Sequence, residues 1–164
     1  MSPDPRQRAI AAPGLVPLFD MVVDLHPRED FERGPLGRRV LFGLAGGTFD
    51  GTSLRGNVLA GGGDWALFRA DGVMTLDVRL TLRTDDGARV LMTYGGRWVT
   101  PPELREAMAD PARRSEIDPA RYYVRTTPLF ETGSERYAWL NDIVALGSGY
   151  LVPGGIAYRV FHVQ

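Results

Sequence analysis

The sequence predicts an all-β fold: a single antiparallel β-barrel of about nine strands with one short helix. Three observations carry this reading. Short apolar stretches recur with turn residues between them, at the spacing of antiparallel hairpins rather than of alternating strands and helices. Residues 73–83 alternate strictly, with Met74, Leu76, Val78, Leu80 and Leu82 on one face and Thr75, Asp77, Arg79, Thr81 and Arg83 on the other. Asp71-Gly72 before this stretch and Asp86-Gly87 after it are hairpin signals, the second leading into Val90, Met92 and Tyr94 in phase.

In chain order, residues 1–18 read as a flexible tail, with four prolines in the first 17 positions, and residues 19–164 as one barrel domain. Strands are expected over 21–25, 39–45, 56–59, 65–70, 73–83 and 88–94. A helix is expected over 102–108, because Thr100 and Glu103 have capping-box spacing and Pro101 falls at the first helical position, where its missing N–H costs nothing. Residues 110–120 are polar with two Asp-Pro steps, which predicts a surface loop able to cover a barrel mouth. Strands over 122–127, 137–146 and 156–163 complete the set, enough to close a barrel.

Composition narrows the chemistry by exclusion. A chain of 164 residues, 44% apolar and 24% charged, is one ordinary soluble domain. A net charge of −1 with no basic run removes the attraction on which phosphate-backbone binding rests, so no nucleic-acid partner is expected. No stretch has the apolar length of a membrane span or a signal segment, so the expectation is a cytoplasmic protein without a membrane partner. The absence of cysteine excludes disulfides, thiolate nucleophiles and thiolate metal sites. All 19 basic residues are arginine, which excludes a Schiff-base lysine and a phosphate loop of the Walker type. Two histidines, His26 and His162, cannot make a three-histidine metal site. Carboxylates, tyrosines and arginines remain, and neither a metal nor a cofactor is expected.

The densest motif is Gly61-Gly62-Gly63-Asp64-Trp65, read either as a glycine-rich turn or bulge or as a backbone able to approach a ligand closely. Asp77 and Arg79 share the polar face of the best strand, and Arg125 shares parity with Tyr123. Tyr137, Trp139 and Asn141 also share one parity, mixing aromatic surface with hydrogen-bonding groups as small-ligand pockets do. Phe130 and Glu131 stand at a strand end or in a loop, where site residues concentrate. Alternation alone leaves open which sheet face lines the interior: a charged face inside needs partners or a ligand, whereas a charged face outside is simply wet.

In order and spacing, these pieces resemble the family called domain of unknown function 3237, or uncharacterised protein family 0311. The matching pieces are Gly37-Arg38-Arg39, Gly46 to Gly51, Leu54-Arg55-Gly56, Gly61 to Trp65, Asp71-Gly72, Leu76 to Arg79, Asp85-Asp86-Gly87, Tyr123 to Thr126 with Phe130-Glu131, and Tyr137 to Asn141. The resemblance covers about residues 21–163 and implies a small β-barrel without implying an activity. It implies that Asp64, Asp77, Arg79, Arg125 and Glu131, with Trp65, Tyr137 and Trp139, contribute to one barrel pocket.

The functional expectation is a cofactor-independent enzyme acting on a small aromatic or polyketide-like metabolite by proton transfer, of lyase, isomerase or cyclase type. Asp64 or Asp77 would be the acid or base, with Arg79, Arg125 or Tyr137 stabilising an enolate or carboxylate. Trp65, Tyr94, Tyr123, Phe130, Glu131, Trp139 and Asn141 would contact the substrate. The alternative is a non-catalytic barrel that carries or senses a small carboxylated or phenolic ligand. A homodimer is the expected assembly, as the commonest symmetric one.

Overall fold

The computed structural model describes residues 4–164 and contains ten strands. They are β1 (Leu15–Leu25), β2 (Glu29–Gly34), β3 (Gly37–Asp50), β4 (Arg55–Val58), β5 (Gly63–Phe68), β6 (Met74–Thr84), β7 (Arg89–Val99), β8 (Tyr123–Glu131), β9 (Ala145–Val152) and β10 (Gly155–Val163). One short helix, α1 (Arg105–Ala109), follows a 3-10 turn over Pro102–Leu104. Every pairing is antiparallel, and the order β1-β10-β9-β8-β7-β6-β4-β3 closes on itself through a β1–β3 ladder. Closure removes the edges that an open sheet would expose. Both β4 and β5 pair with β3 on one side and β6 on the other, so they form one barrel strand interrupted at residues 59–62. β2 lies outside the ring as a hairpin arm on the first half of β3, and all six of its residues are exposed.

The alternation of β6 resolves in favour of an apolar interior. Met74, Leu76, Val78, Leu80 and Leu82 are buried, and the alternate residues face out. Burying the apolar row stabilises by about 1.5–3 kcal/mol per large side chain, whereas burying the charged row would cost several kcal/mol per unpaired charge. The barrel interior is therefore lined by apolar side chains. One end is sealed by Phe19, Phe49 and Phe130, whose rings pack edge to face at 5.5 and 6.1 Å, with Leu54, Tyr137 and Leu140 beyond them. The β7–β8 connection, residues 100–122, lies at the other end. The Arg105 guanidinium rests against Gly72 in the β5–β6 hairpin, and the turns Arg114–Glu116 and Pro119–Arg121 contact β9.

Several local expectations change. β1 begins at Leu15, where it pairs with Val163, so residues 15–18 of the expected tail are strand. Thr100 and Glu103 make no capping box: Pro101 occupies the cap without a side-chain hydrogen bond, and Pro102 takes the first helical position. The strand expected over 137–146 is instead a 3-10 helix, Glu135–Asp142, followed by β9 from Ala145. There the buried pair Tyr137 and Leu140 follows helical spacing, and Asn141 clamps the Thr132 backbone, accepting from its N–H at 2.8 Å and donating to its carbonyl at 3.0 Å. β2 and most of β9 were absent from the sequence reading. The first has no apolar face; the second carries Gly147 and Gly149, which read as turn signals.

Candidate functional site

The interruption between β4 and β5 determines where Asp64 points. Gly62 has φ +78°, and a Cβ there would stand 2.3 Å from the Arg79 carbonyl oxygen, so only glycine fits this close approach. Its carbonyl accepts from Leu44 N–H, and Gly61 N–H donates to the Leu44 carbonyl, which pins the excursion to β3. Bulges of this kind re-aim the side chain that follows. Asp64 then enters the barrel in register with Phe42 on β3 and Val78 on β6, and Val78 pairs in turn with Tyr94 on β7.

Asp64 is 9% exposed and is the one charged side chain in the buried set of the described residues. Its Oδ1 accepts a hydrogen bond of 2.9 Å from the Asp77 backbone N–H. Burial pushes its carboxyl up to about 6; the Asp77 N–H pulls it down, and the Asp77 carboxylate adds a smaller upward push. Two buried tyrosines share the space: the rings of Tyr94 and Tyr158 meet edge to face at 5.6 Å. Burial raises both hydroxyls well above the ordinary tyrosine value, and both feel the Asp64 charge, so they are neutral hydrogen-bonding groups. Gly149 makes room for this pair, since a Cβ there would meet the Tyr158 ring at 2.7 Å.

Along β6 and β7, Leu82 and Val90 are fully buried, Met92 is 1% exposed, Tyr94 6% and Met74 7%. Phe42, Phe68 and Trp98 are inward-facing yet only partly buried. Trp98 stacks on Tyr122 with centroids 6.0 Å apart, and the Tyr122 hydroxyl accepts from Leu151 N–H at 3.0 Å, fixing an aromatic wall at this end. The arrangement is a buried acid close enough to two buried tyrosines to influence their ionisation, with partly buried aromatic rings toward the end where residues 100–122 lie. Among the described residues, no three histidine, aspartate or glutamate side chains gather as a metal site.

The other expected site residues fall elsewhere. Asp77 and Arg79 pair with each other at 3.1 Å on the outer wall, both more than half exposed, because the parity of β6 turns them outward. Arg125 and Tyr123 face out from β8, the guanidinium 5.1 Å from the ring centroid, and Glu131 is exposed on the same face. Trp65 is half-buried on the outward parity of β5, its carbonyl accepting from Arg39 at 2.7 Å. Phe130, Tyr137, Trp139 and Asn141 belong to the sealed end. The Tyr137 hydroxyl donates to Asp86 at 3.2 Å. The single pocket expected from these residues thus divides among three places. Asp64 and Tyr94 both lie inside, two strands apart across Val78, together with Tyr158, which sequence reasoning missed. Its signal was a hydroxyl-bearing residue in phase with the apolar Ile156 and Val160.

Two surface hollows of about 180 Å³ also exist. One lies among Arg55, Asp85, Asp86, Arg136 and Tyr137, the other among Phe31, Leu36, Arg39 and Leu67; neither includes Asp64. No helix among the described residues is long and apolar enough to cross a membrane.

Comparison with known proteins agrees with the barrel. A crystal structure of a β-barrel-like protein from Acinetobacter baumannii superposes with a TM-score of 0.82 at 32% identity, covering 96% of this chain and all of that one. A UPF0311 protein of Clostridium acetobutylicum is 32% identical over 129 residues, 79% of this chain and 80% of the relative. A hydroalkoxylation enzyme of Penicillium herquei is 33% identical over 105 residues, 64% of this chain and 50% of that protein. The profile of one family matches residues 13–163, nearly the whole barrel. The chain belongs to the family described as protein of unknown function (DUF3237).

Proposed function

We propose that the protein is a cofactor-independent acid/base enzyme of cyclase or isomerase type, with Asp64 as the proton-transferring group. The observation that carries this reading is Asp64, the one buried carboxyl of the described residues, whose burial raises its proton affinity to about 6 and which shares the interior with the Tyr94–Tyr158 pair. A group titrating near neutrality donates and recovers a proton with similar ease. The relative named for hydroalkoxylation suggests the reaction type. In such an addition, protonated Asp64 delivers its proton to one alkene carbon and a substrate hydroxyl oxygen bonds to the other. The hydroxyl proton then returns to the Asp64 carboxylate, which leaves a ring ether isomeric with the starting compound. Tyr94 hydrogen-bonds the reacting oxygen and holds it in line.

Phenols bearing an alkenyl side chain test this reading, with ring closure at unchanged mass followed by chromatography. Asp64→Asn is expected to lower turnover by about 10²–10⁴-fold, the range for loss of a general acid/base. Turnover undiminished in Asp64→Asn overturns it, and binding without turnover by the wild type favours the carrier reading.

A further inference from the structure

The charge distribution inside and outside the barrel points to the substrate class. Among the described residues no arginine is buried, and the buried polar side chains are Asp64, Thr84 and Thr126. Thr84 is committed to Asp86 and the β6–β7 turn, at the far end of β6 from Met74. The cluster around Asp64 therefore contains hydroxyls, one carboxyl and aromatic faces, with no cation to meet an anion. A carboxylate or phosphate entering it would lose its hydration and gain no charge partner, while facing Asp64 at short range in a medium that screens poorly. Nineteen arginines were available in the sequence, and the fold keeps them outside this space.

We propose that the barrel interior takes uncharged, hydroxylated aromatic substrates and rejects carboxylates and phosphates, with Asp64 as the charge filter and the Tyr94 hydroxyl as the recognition group. The ring of the substrate packs against Phe42, Phe68 and Trp98, which pack on the core but are only partly buried. Phe68, Met74 and Trp98 form one register row across β5, β6 and β7, which makes that wall continuous. The substrate hydroxyl reaches down to Tyr94 and Asp64. This inference rests on the acid/base reading for the location of the site, and it excludes the carboxylated ligands that arginine-lined pockets would hold.

The test uses two probes of matched shape, 2-naphthol and 2-naphthoate, titrated calorimetrically into the full chain at about pH 7.5. There a phenol is neutral and a carboxylic acid is ionised. The naphthol is expected to bind at least about tenfold more tightly. Asp64→Asn, which removes the charge and keeps the shape, is expected to shrink that ratio several-fold. Tyr94→Phe is expected to weaken the naphthol and leave the naphthoate unchanged. Equal or tighter binding of the naphthoate overturns the proposal, as does a ratio unmoved by Asp64→Asn or binding of neither probe. A structure of the naphthol complex with the ligand in the Phe31–Arg39 hollow overturns it as well. Failure of the acid/base reading shows separately, as turnover surviving in Asp64→Asn while the binding ratio still responds.

Discussion

Asp64 carries a cost that its position explains. The native carboxyl holds its proton up to about 6, whereas the unfolded chain releases it near 3.8. Between those values the native state binds more protons, so stability falls as pH rises through the window, and the penalty stands in full above about 6. A gap of about two pKa units is worth roughly 3 kcal/mol at neutral pH. Asp20, Asp30, Asp71 and Asp86 act oppositely: Arg159, Arg38, the Val73 N–H and the Thr84 hydroxyl, respectively, hold their carboxyls down, so their support fails only on stronger acidification. Wild type is therefore expected to melt a few degrees higher at about pH 5 than at about pH 7.5. Asp64→Asn is expected to flatten that difference and raise stability at neutral pH, because its Oδ1 still accepts from Asp77 N–H. Thermal unfolding followed by circular dichroism reads both, and a wild-type profile flat over this range would remove the basis for a raised Asp64 value. A residue that weakens the fold yet sits at its centre is expected where activity constrains sequence.

At the scale of elements, the interrupted β4–β5 strand is the device that sets the site, and its glycines are not equivalent. Gly61 has φ +98° but faces open space, whereas Gly62 combines φ +78° with backbone packing against Arg79. Gly61→Ala is expected to cost about 1 kcal/mol, the usual penalty of a side chain in the left-handed region. Gly62→Ala is expected to cost at least about 2 kcal/mol more, because the Arg79 carbonyl must move with it. Denaturant titration measures both, and equal costs would mean that the excursion is not pinned at Gly62. The motif was legible in the sequence as a glycine-rich turn or bulge or a backbone open to a ligand, without the direction of Asp64, and β6 and its two hairpins were legible from alternation and Asp-Gly turns. The inward face was not: the charged and apolar rows of β6 alternate equally well under either assignment, and only closure of the ring decides between them. For the same reason Asp77, Arg79 and Arg125 looked like pocket residues, since parity places them together on one face. Tyr137, Trp139 and Asn141 misled differently, because a period of two and helical spacing share residues over so short a stretch.

For the whole molecule, the two barrel ends differ in kind, and that asymmetry assigns an entrance. One end is closed by interlocked phenylalanines with the 3-10 helix Glu135–Asp142 behind them. The other is overlaid by residues 100–122, where backbone hydrogen bonds are local and Leu104 and Tyr122 are buried among mostly exposed neighbours. Few buried apolar contacts and local hydrogen bonds make a segment that opens without unfolding the rest. Amides of residues 101–121 are therefore expected to exchange with solvent orders of magnitude faster than those of Leu80, Leu82, Val90 and Met92, which the ladders of β6 and β7 protect until global unfolding. Hydrogen exchange read by mass spectrometry resolves the two groups. If the entrance lies here, a bound neutral phenol slows exchange in residues 101–121 and leaves residues 135–142 unchanged. Slowing confined to residues 135–142 would place the entrance at the phenylalanine end, and Asp64 would then have to be reached past Phe19, Phe49 and Phe130.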